Sequence, residues 1–354
     1  MAPGQKLPTI QDVAREAGVS TATVSRALSQ PQRVSENTRA RVSKAVDVTG
    51  YTMNQAARSL RQRVARTVLV ALPDIRNPFF SSILDAVERE AARRGYGILV
   101  ANLYFGHETV WRLQDLLLSN RADGLLLLDG SVNPNHLRLL TDGPVSIPVV
   151  LACEEVPHLN YHKVLTDNAV SAERATRHLI DLGHLDIGHI MGPEHNSAAQ
   201  DRLTGFTRAL SAAHLPVNPN WLFRGNFEME SGFAAAARFM ALEHRPTAIF
   251  AANDESAIGL LSGLRQHGLA CPQDISVVGF DDLEVAPHYW PPLTTIRQPR
   301  ETLGRMAAET LIDLIEGEHR ATTPLRIVLS SELIVRGSTA RLSSALSSAV
   351  QSAI

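Results

Sequence analysis

Apolar positions along this chain keep two rhythms, and the change of rhythm divides it. Over residues 9–51 the spacing is helical and the segments are short. In TIQDVAREAGVS (9–20), Ile10, Val13, Ala14 and Ala17 recur on one face, Thr9 with Asp12 makes a capping-box-like start, and Gly18 supplies the stop. Ser20 caps a second helix, TATVSRALS, with Val24 and Leu28 inward and Thr21, Ala22, Ser25, Arg26 and Ser29 on the other side. A third segment, 35–51, has Ser35 as cap, Val42 and Val46 inward, and Arg39, Arg41 and Lys44 outward. Two short helices around a Gly-containing turn, braced by a third, predict a helix-turn-helix whose second helix reads the major groove. The spacing alone also fits a generic three-helix bundle with solvated basic faces.

From Thr67 the rhythm changes. Strand-length apolar runs at 67–72, 98–101, 125–128 and 149–152 alternate with helical patterns at 79–94 and 107–120. In 79–94 the inward positions are Phe79, Phe80, Ile83, Leu84, Val87 and Ala91. The alternation restarts with helices at 170–182, 198–214, 230–240 and 255–266 among strands at 187–191, 248–252 and 276–280. Two sets of βαβ units predict two doubly wound parallel sheets, so the fold class is an all-α headpiece plus an α/β core. Open parallel sheets bind ligands beyond the carboxyl ends of their strands. Polar residues crowd those positions: Asp74, Asn77, Asn102, Asp129, Ser131, Glu154 and Glu155 in the first half. The second half adds Glu194 to Asn196, Asn253, Asp254, Asp281 and Asp282. Carboxylates and amides in such number suit a hydroxyl-rich ligand, and Phe79, Phe80 and Phe227 can face a ring. Caps after strands would account for Asn253, Asp254, Asp281 and Asp282 equally well.

Charge sharpens the division. The net charge of −2 over 354 residues hides eleven Lys/Arg against four Asp/Glu in residues 1–66, a segment at +7, which leaves −9 for the rest. A basic head on an acidic body points to a polyanionic partner. The two cysteines, Cys153 and Cys271, are too few for a disulfide framework, which fits a reducing compartment. No apolar run approaches the roughly 18 to 20 residues of a membrane span, and charged residues interrupt the N-terminus before a signal h-region. The expected location is the cytoplasm, with no membrane partner.

The stretch TIQDVAREAGVSTATVSRALSQPQRVSENTRARV resembles the DNA-binding headpiece of the LacI/GalR family of bacterial transcriptional regulators. PDIRNPFFSSIL, GHLDIGHIMGP, DRLTGF, GNFEMESGF, FAANDESAIG, DISVVGFDDLEVA and PPLTTIRQP resemble blocks that the family's core shares with periplasmic sugar-binding proteins. Together these cover residues 9 to 337. STATVSRALSQPQRVS with PDIRNPFFSSI resembles the cytidine-responsive branch in particular. The resemblance implies a homodimeric repressor, rather than a tetramer, on double-stranded operator DNA of pseudo-palindromic sequence. A small effector, a sugar or nucleoside, would close a cleft between two core subdomains of periplasmic-binding-protein type.

The DNA-binding set is Thr9, Ser20, Thr21, Ala22, Thr23, Arg26, Ser29, Arg33, Ser35 and Thr38, with Asn54, Ala57, Arg58 and Leu60 in a hinge. Arg26 can pair with guanine, and Thr21 and Ala22 offer methyl contacts to thymine. The resemblance makes Leu60 the wedge of a minor-groove hinge helix, and Arg61, Arg63 and Arg66 beside it suit phosphates. A surface leucine in a linker is the plainer reading. Met53 stands where the family usually has proline. Carried over by motif, Arg202, Asn253 and Asp281 are the principal effector contacts, with Phe227, Asn77, Phe79, Phe80 and Ser131 around them. After the fourth strand, where relatives offer Asp or Asn, this chain has Ala152, Cys153 and Glu154.

The implied organisation is a helix-turn-helix domain over 1–53, a hinge over 54–66, a core over 67–340 and a flexible tail over 341–354. Within the core, one subdomain takes about 67–166 plus 297–325 and the other about 167–296 plus 326–340. Leu342, Leu346 and Val350 recur every four residues in the tail, too short a pattern for a coiled coil. No metal or other cofactor is expected, since His158 with His162 and His184 with His189 lack a third ligand in a recognisable spacing. Enzymatic readings lack their hardware. There is no Walker A run, no GxGxxG after the first strand and no GxSxG, and adjacent carboxylates such as Asp281 and Asp282 cannot straddle a glycosidic bond. A solute-binding protein would share the core and have no use for the basic headpiece.

Overall fold

The computed structural model describes residues 8–51, 64–104, 107–142, 146–318 and 323–342. The chain separates into two compact units, Met1–Ala65 and Arg66–Ile354.

In the first unit three helices, α1 (Ile10–Ala17), α2 (Thr21–Ser29) and α3 (Glu36–Thr49), enclose a small core. Each start is set locally. The Asp12 carboxylate accepts from the Thr9 N–H at 2.9 Å and the Thr9 hydroxyl at 2.7 Å. Ser20 Oγ accepts the Thr23 N–H at 3.1 Å, and Ser35 Oγ accepts the Thr38 N–H at 3.4 Å. Such caps are worth about 1 kcal/mol each. Gly18 ends α1 at φ 61°, a conformation that costs a side-chain-bearing residue. The residues innermost in the bundle are Val13, Val24 and Val42 with Ala14, Ala17, Ala27 and Ala45. Leu28 and Val46, expected inside, are only half-buried, because the helices approach across alanines. A 3₁₀ turn, Pro31–Arg33, which the helical pattern did not indicate, links α2 to α3. Arg41 faces outward as expected and also donates to the carbonyls of Ala17 at 2.6 Å and Gly18 at 3.2 Å. It therefore caps the negative end of α1.

The second unit opens with β1 (Thr67–Leu72), α4 (Phe79–Arg93), β2 (Gly97–Asn102), α5 (His107–Leu118), β3 (Gly124–Leu127), α6 (Pro134–Thr141), β4 (Val149–Ala152) and β5 (His162–Thr166). It continues with α7 (Asn168–Asp181), β6 (Ile187–Ile190), α8 (Ser197–Ala212), β7 (Leu222–Phe223), α9 (Met229–Met240), β8 (Ala248–Ala251), α10 (Asp254–Gln266) and β9 (Ser276–Asp281). Last come β10 (Thr294–Arg297), α11 (Arg300–Glu316), β11 (Arg326–Leu329) and β12 (Glu332–Ile334).

One sheet is ordered β11-β5-β4-β3-β1-β2 and the other β12-β10-β9-β8-β6-β7; among the described residues only the β10–β12 pair is antiparallel. Helices cover both faces, so central strands are apolar throughout: Val68 to Leu72 are all fully buried. At about 1.5–3 kcal/mol per buried aliphatic side chain, a polar residue here would be poorly tolerated.

The chain crosses between the sheets three times, after Thr166, after Arg297 and after Leu329. The last crossing corrects the boundary expected before Arg326. Arg326–Leu329 pairs in parallel with Lys163–Thr166, and Ile327 and Leu329 pack on the first sheet's core, whereas Leu333 packs on the second's. Gln298, at the second crossing, takes a hydrogen bond from the Thr166 hydroxyl at 2.6 Å and gives one to Asp281 Oδ1 at 2.8 Å. Among the described residues, no helix is long and apolar enough to cross a membrane.

Candidate DNA interface and effector cleft

On the headpiece, Thr21, Ala22, Arg26 and Ser29 share an exposed groove with Ile10, Ser25 and Gln30. The second helix thus presents small and cationic groups outward and Val24 and Ala27 inward. Thr9, Ser20, Thr23, Ser35 and Thr38 sit at helix starts, where the Ser20 and Ser35 hydroxyls work as caps and the Thr9 hydroxyl donates to Asp12; Ser20 and Thr23 hydroxyls lie 2.9 Å apart, as do those of Ser35 and Thr38. These polar helix starts are suited to phosphate oxygens. Arg33 ends the 3₁₀ turn, exposed. Arg15 leans on Asp12 at 3.2 Å and Arg39 on Glu36 at 3.8 Å, while Arg26, Arg33 and Lys44 are in no ion pair among the described residues. Asn54, Ala57, Arg58 and Leu60 lie outside the described residues.

The second unit holds a cavity of about 720 Å³ between its two sheets, within the range of small-molecule sites. All eight residues expected around an effector, Asn77, Phe79, Phe80, Ser131, Arg202, Phe227, Asn253 and Asp281, line it. Their roles differ. Arg202, buried on α8, donates Nε to Asn168 Oδ1 at 2.9 Å and Nη1 to the Ala252 carbonyl at 2.5 Å, and lies 3.8 Å from Asp281 Oδ1. Its guanidinium stacks 3.8 Å over the Phe280 ring and 5.4 Å from Phe227. Asn253 is first a helix cap, as the plainer reading had it: Oδ1 accepts from the Ser256 N–H at 3.1 Å and from the Ser256 hydroxyl, and Nδ2 donates to the Phe227 carbonyl at 2.8 Å. It thereby pins Phe227, whose φ is 68°; Asp281 sits at φ 117°. Such backbones cost about 1–3 kcal/mol and gather at functional sites.

Asp254 and Asp282 belong to the scaffold. Asp254 accepts from the Thr295 hydroxyl at 2.6 Å and the Leu283 N–H at 2.8 Å. Asp282 holds Arg297 and Arg336, both at 2.6 Å. His189 is stacked between Phe206 and Phe250, with Nδ1 2.8 Å from the Phe250 carbonyl oxygen, and burial drives its pKa down to about 4. His184 is held by Thr247 and Ser276. Both are neutral structural groups. Among the described residues no cluster of metal-ligating side chains forms.

Glu154 is the residue that sequence reasoning undervalued. It is buried against the cavity, where Oε2 accepts the Gly130 N–H at 2.7 Å and Oε1 accepts Asn196 Nδ2 at 2.7 Å. Gly130 follows β3 and Asn196 caps α8, so one carboxylate ties the two halves across the cleft. A Cβ on Gly130 would meet the Glu155 carbonyl at 2.6 Å, so the loop reaches Glu154 only as glycine. Burial and then the neighbouring Asp129 push the Glu154 pKa up to about 7. Glu255, also on the wall, is pushed up to about 7 by burial and then by Asp281, Asp74 and Glu228. Asp281 rises to about 6 by burial, with Arg202 and Gln298 pulling the other way. Asp129, Glu154 and Asn196 were visible as polar residues past strands, but nothing local marked them above their neighbours. Glu255 carried no such signal.

Residues 9–54 match the lacI family of bacterial regulatory proteins, and residues 176–339 match a periplasmic binding protein-like domain. The HTH-type transcriptional repressor CytR of Escherichia coli (strain K12) is 39% identical over 334 residues, covering 94% of this chain and 97% of its own. The chain belongs to the LacI family. Two solved structures agree with a LacI-family fold over nearly full length. The lac repressor dimer bound to operator and the anti-inducer ONPF is 28% identical, with a TM-score of 0.85 over 95% of this chain and all of that one. The complex of the transcriptional regulator CelR with cellobiose is 33% identical, with a TM-score of 0.71 over 94% of this chain and 99% of that one. As a LacI-family member the chain is a transcriptional regulator and not an enzyme. After the fourth strand, where an Asp or Asn was expected by resemblance, the longer acid Glu154 reaches across to Asn196.

Proposed function

We propose that this regulator is a repressor that holds a pseudo-palindromic operator as a homodimer and changes its grip when a small hydroxyl-bearing effector, a sugar or a nucleoside, closes the cleft. The observation that carries this reading is the meeting of polar groups from the strand ends of both sheets on one cavity, in a chain whose other unit presents a small, cationic reading helix. A ligand gripping both halves stabilises one arrangement of them over the other, which is what an effector must do. The relatives named above, one on operator DNA and one holding cellobiose, support both halves of the proposal.

In this reading Thr21, Ala22 and Arg26 set base preference, and Arg33, Lys44 and the capped starts of α2 and α3 settle on phosphates. Residues 54–66 form the hinge, with Leu60 as wedge, and residues 341–354 the tail. Arg202 and Asp281 grip the effector beside Phe227, and the working compartment is the cytoplasm.

Selecting duplexes from a random pool with the full chain should return a site with two-fold symmetry, and an asymmetric single half-site would overturn the dimeric reading. Sugars and nucleosides are then added to that complex. Asp281→Ala should bind the selected duplex normally and lose the response; a variant that still responds removes Asp281 from the pocket.

A further inference from the structure

Eight of the described residues lining the cavity are Asp or Glu and two are Arg. Both arginines are engaged by the protein. Arg76 is paired with Asp74 at 2.8 Å, and Arg202, which donates to Asn168 and the Ala252 carbonyl, has its charge matched by Asp281 at 3.8 Å. Glu194 has Arg224 at 3.2 Å, both exposed. That leaves Asp129, Glu154, Glu228, Glu230 and Glu255, none of which is in an ion pair among the described residues.

Helix N-termini normally offer anions a seat, and at α9 and α10 that seat is already lined with acid. Glu228 stands at the N-cap of α9 and Glu230 in its first turn; Asp254 and Glu255 stand in the first turn of α10. At the start of α8, Asn196 turns its amide N–H to Glu154, and at the start of α4 the Phe79 N–H goes to Asn77 Oδ1 at 2.9 Å. At α9 and α10 the positive ends that a phosphate would use are offset by the protein's own carboxylates.

We propose that the cleft selects its effector by charge, taking an uncharged or cationic molecule rich in hydrogen-bond donors and excluding the phosphate ester of that same molecule. The proposal rests on the effector reading of the cleft. Its chemistry follows from the lone pairs on the wall: carboxylates accept from hydroxyls, amines and N–H groups, and repel a dianion at close range in a partly dry cavity. Burial and neighbouring carboxylates, Asp129 for Glu154 and Asp281, Asp74 and Glu228 for Glu255, push both groups up to about 7, as crowded negative charge on one wall does.

The test is calorimetry on the full chain with matched pairs: ribose and ribose 5-phosphate, cytidine and its 5′-monophosphate, adenosine and its 5′-monophosphate, glucosamine and its 6-phosphate. Any parent that binds should lose about 100-fold or more in affinity on phosphorylation. In a Glu228→Gln, Glu230→Gln, Glu255→Gln triple variant that ratio should shrink about tenfold. A phosphate ester that binds as well as its parent overturns charge selection and leaves the effector reading standing. A ratio unchanged in the triple variant overturns the assignment to these carboxylates. If no parent compound binds and none alters the complex with DNA, the charge selection falls together with the effector reading.

Discussion

The headpiece and the cleft spend the same kinds of polar residue in opposite ways. In the headpiece, hydroxyls and cations stand at the surface, and the hydroxyls at the helix starts are fixed by a partner three positions away, as Ser20 is by Thr23 and Ser35 by Thr38. In the cleft, carboxylates and amides are buried and their partners are distant in sequence: Glu154 meets Asn196, Arg202 meets Asn168 and Ala252, and Gln298 meets Thr166. The first arrangement leaves groups free for an outside partner and needs little core. The second needs two sheets to exist before any of its pairs can form. Among the described residues, seven buried side chains, three of them valines, hold the headpiece, whereas the body has four extended clusters.

That contrast can be broken most forcefully at Val42, which is almost fully buried. Val42→Asp buries an unpaired carboxylate in a core with no spare area and should cost about 4 kcal/mol or more, enough to unfold the headpiece. DNA binding should vanish while ligand-induced thermal shifts of the body persist; loss of both would show that the units do not fold independently.

Next comes Asn253→Ala, which removes a cap and frees Phe227 together. The expected loss is about 2 kcal/mol by thermal unfolding, accompanied by weaker ligand binding. Weaker binding with unchanged stability would make Asn253 a ligand contact first and a cap second.

Glu154→Gln addresses the buried carboxylate itself. A folded-state pKa near 7 against an ordinary 4.5 means that the folded form keeps a proton the unfolded form gives up, so this stabilisation is full below about 4.5 and is lost as pH rises through 7. Glu255 and Asp281 act in the same direction. These carboxylates work against stability as pH rises from 5 to 8, and the glutamine variant should lose about 1–2 kcal/mol less than the native chain across that span. Parallel melting curves for the two proteins would remove Glu154 from the titration.

The finest distinction lies within the headpiece, between two arginines that look alike in sequence. Arg41→Ala should cost about 1 kcal/mol of headpiece stability and leave the salt dependence of DNA binding unchanged, because its guanidinium is spent on Ala17 and Gly18. Arg26→Ala should leave stability alone and relax preference at one operator position by about 1–3 kcal/mol. Exchanged phenotypes would reverse the two roles.

Legibility in the sequence followed the same divide. Caps at Thr9, Ser20 and Ser35 were readable because their partners are local, and the apolar runs of β1, β3 and β4 because central parallel strands are apolar throughout. β5 and β11 were not: HKVLT and RIVL begin with polar residues, and their exposed or half-buried ends break the run. α11 was obscured differently, since its buried face includes Gly304, Ala307, Ala308 and Thr310 among the larger apolar residues, so no narrow stripe stands out. All eight expected effector residues do line one cavity, yet their pattern could not show that Asn253 is occupied as a cap, or that Glu154 spans the cleft. Those facts depend on pairings between elements that only the assembled sheets bring together.

The amide of Gln298 has a mechanical consequence. Three stretches of chain join the two halves of the body, and if they were independent, each could twist on its own. Gln298 fastens the second to the first through Thr166 and, with its other end, holds Asp281 on the cavity wall. A rotation of one half against the other would turn near this fastening, with one side chain as the pivot pin, and whatever pulled on Asp281 would pull on the pin.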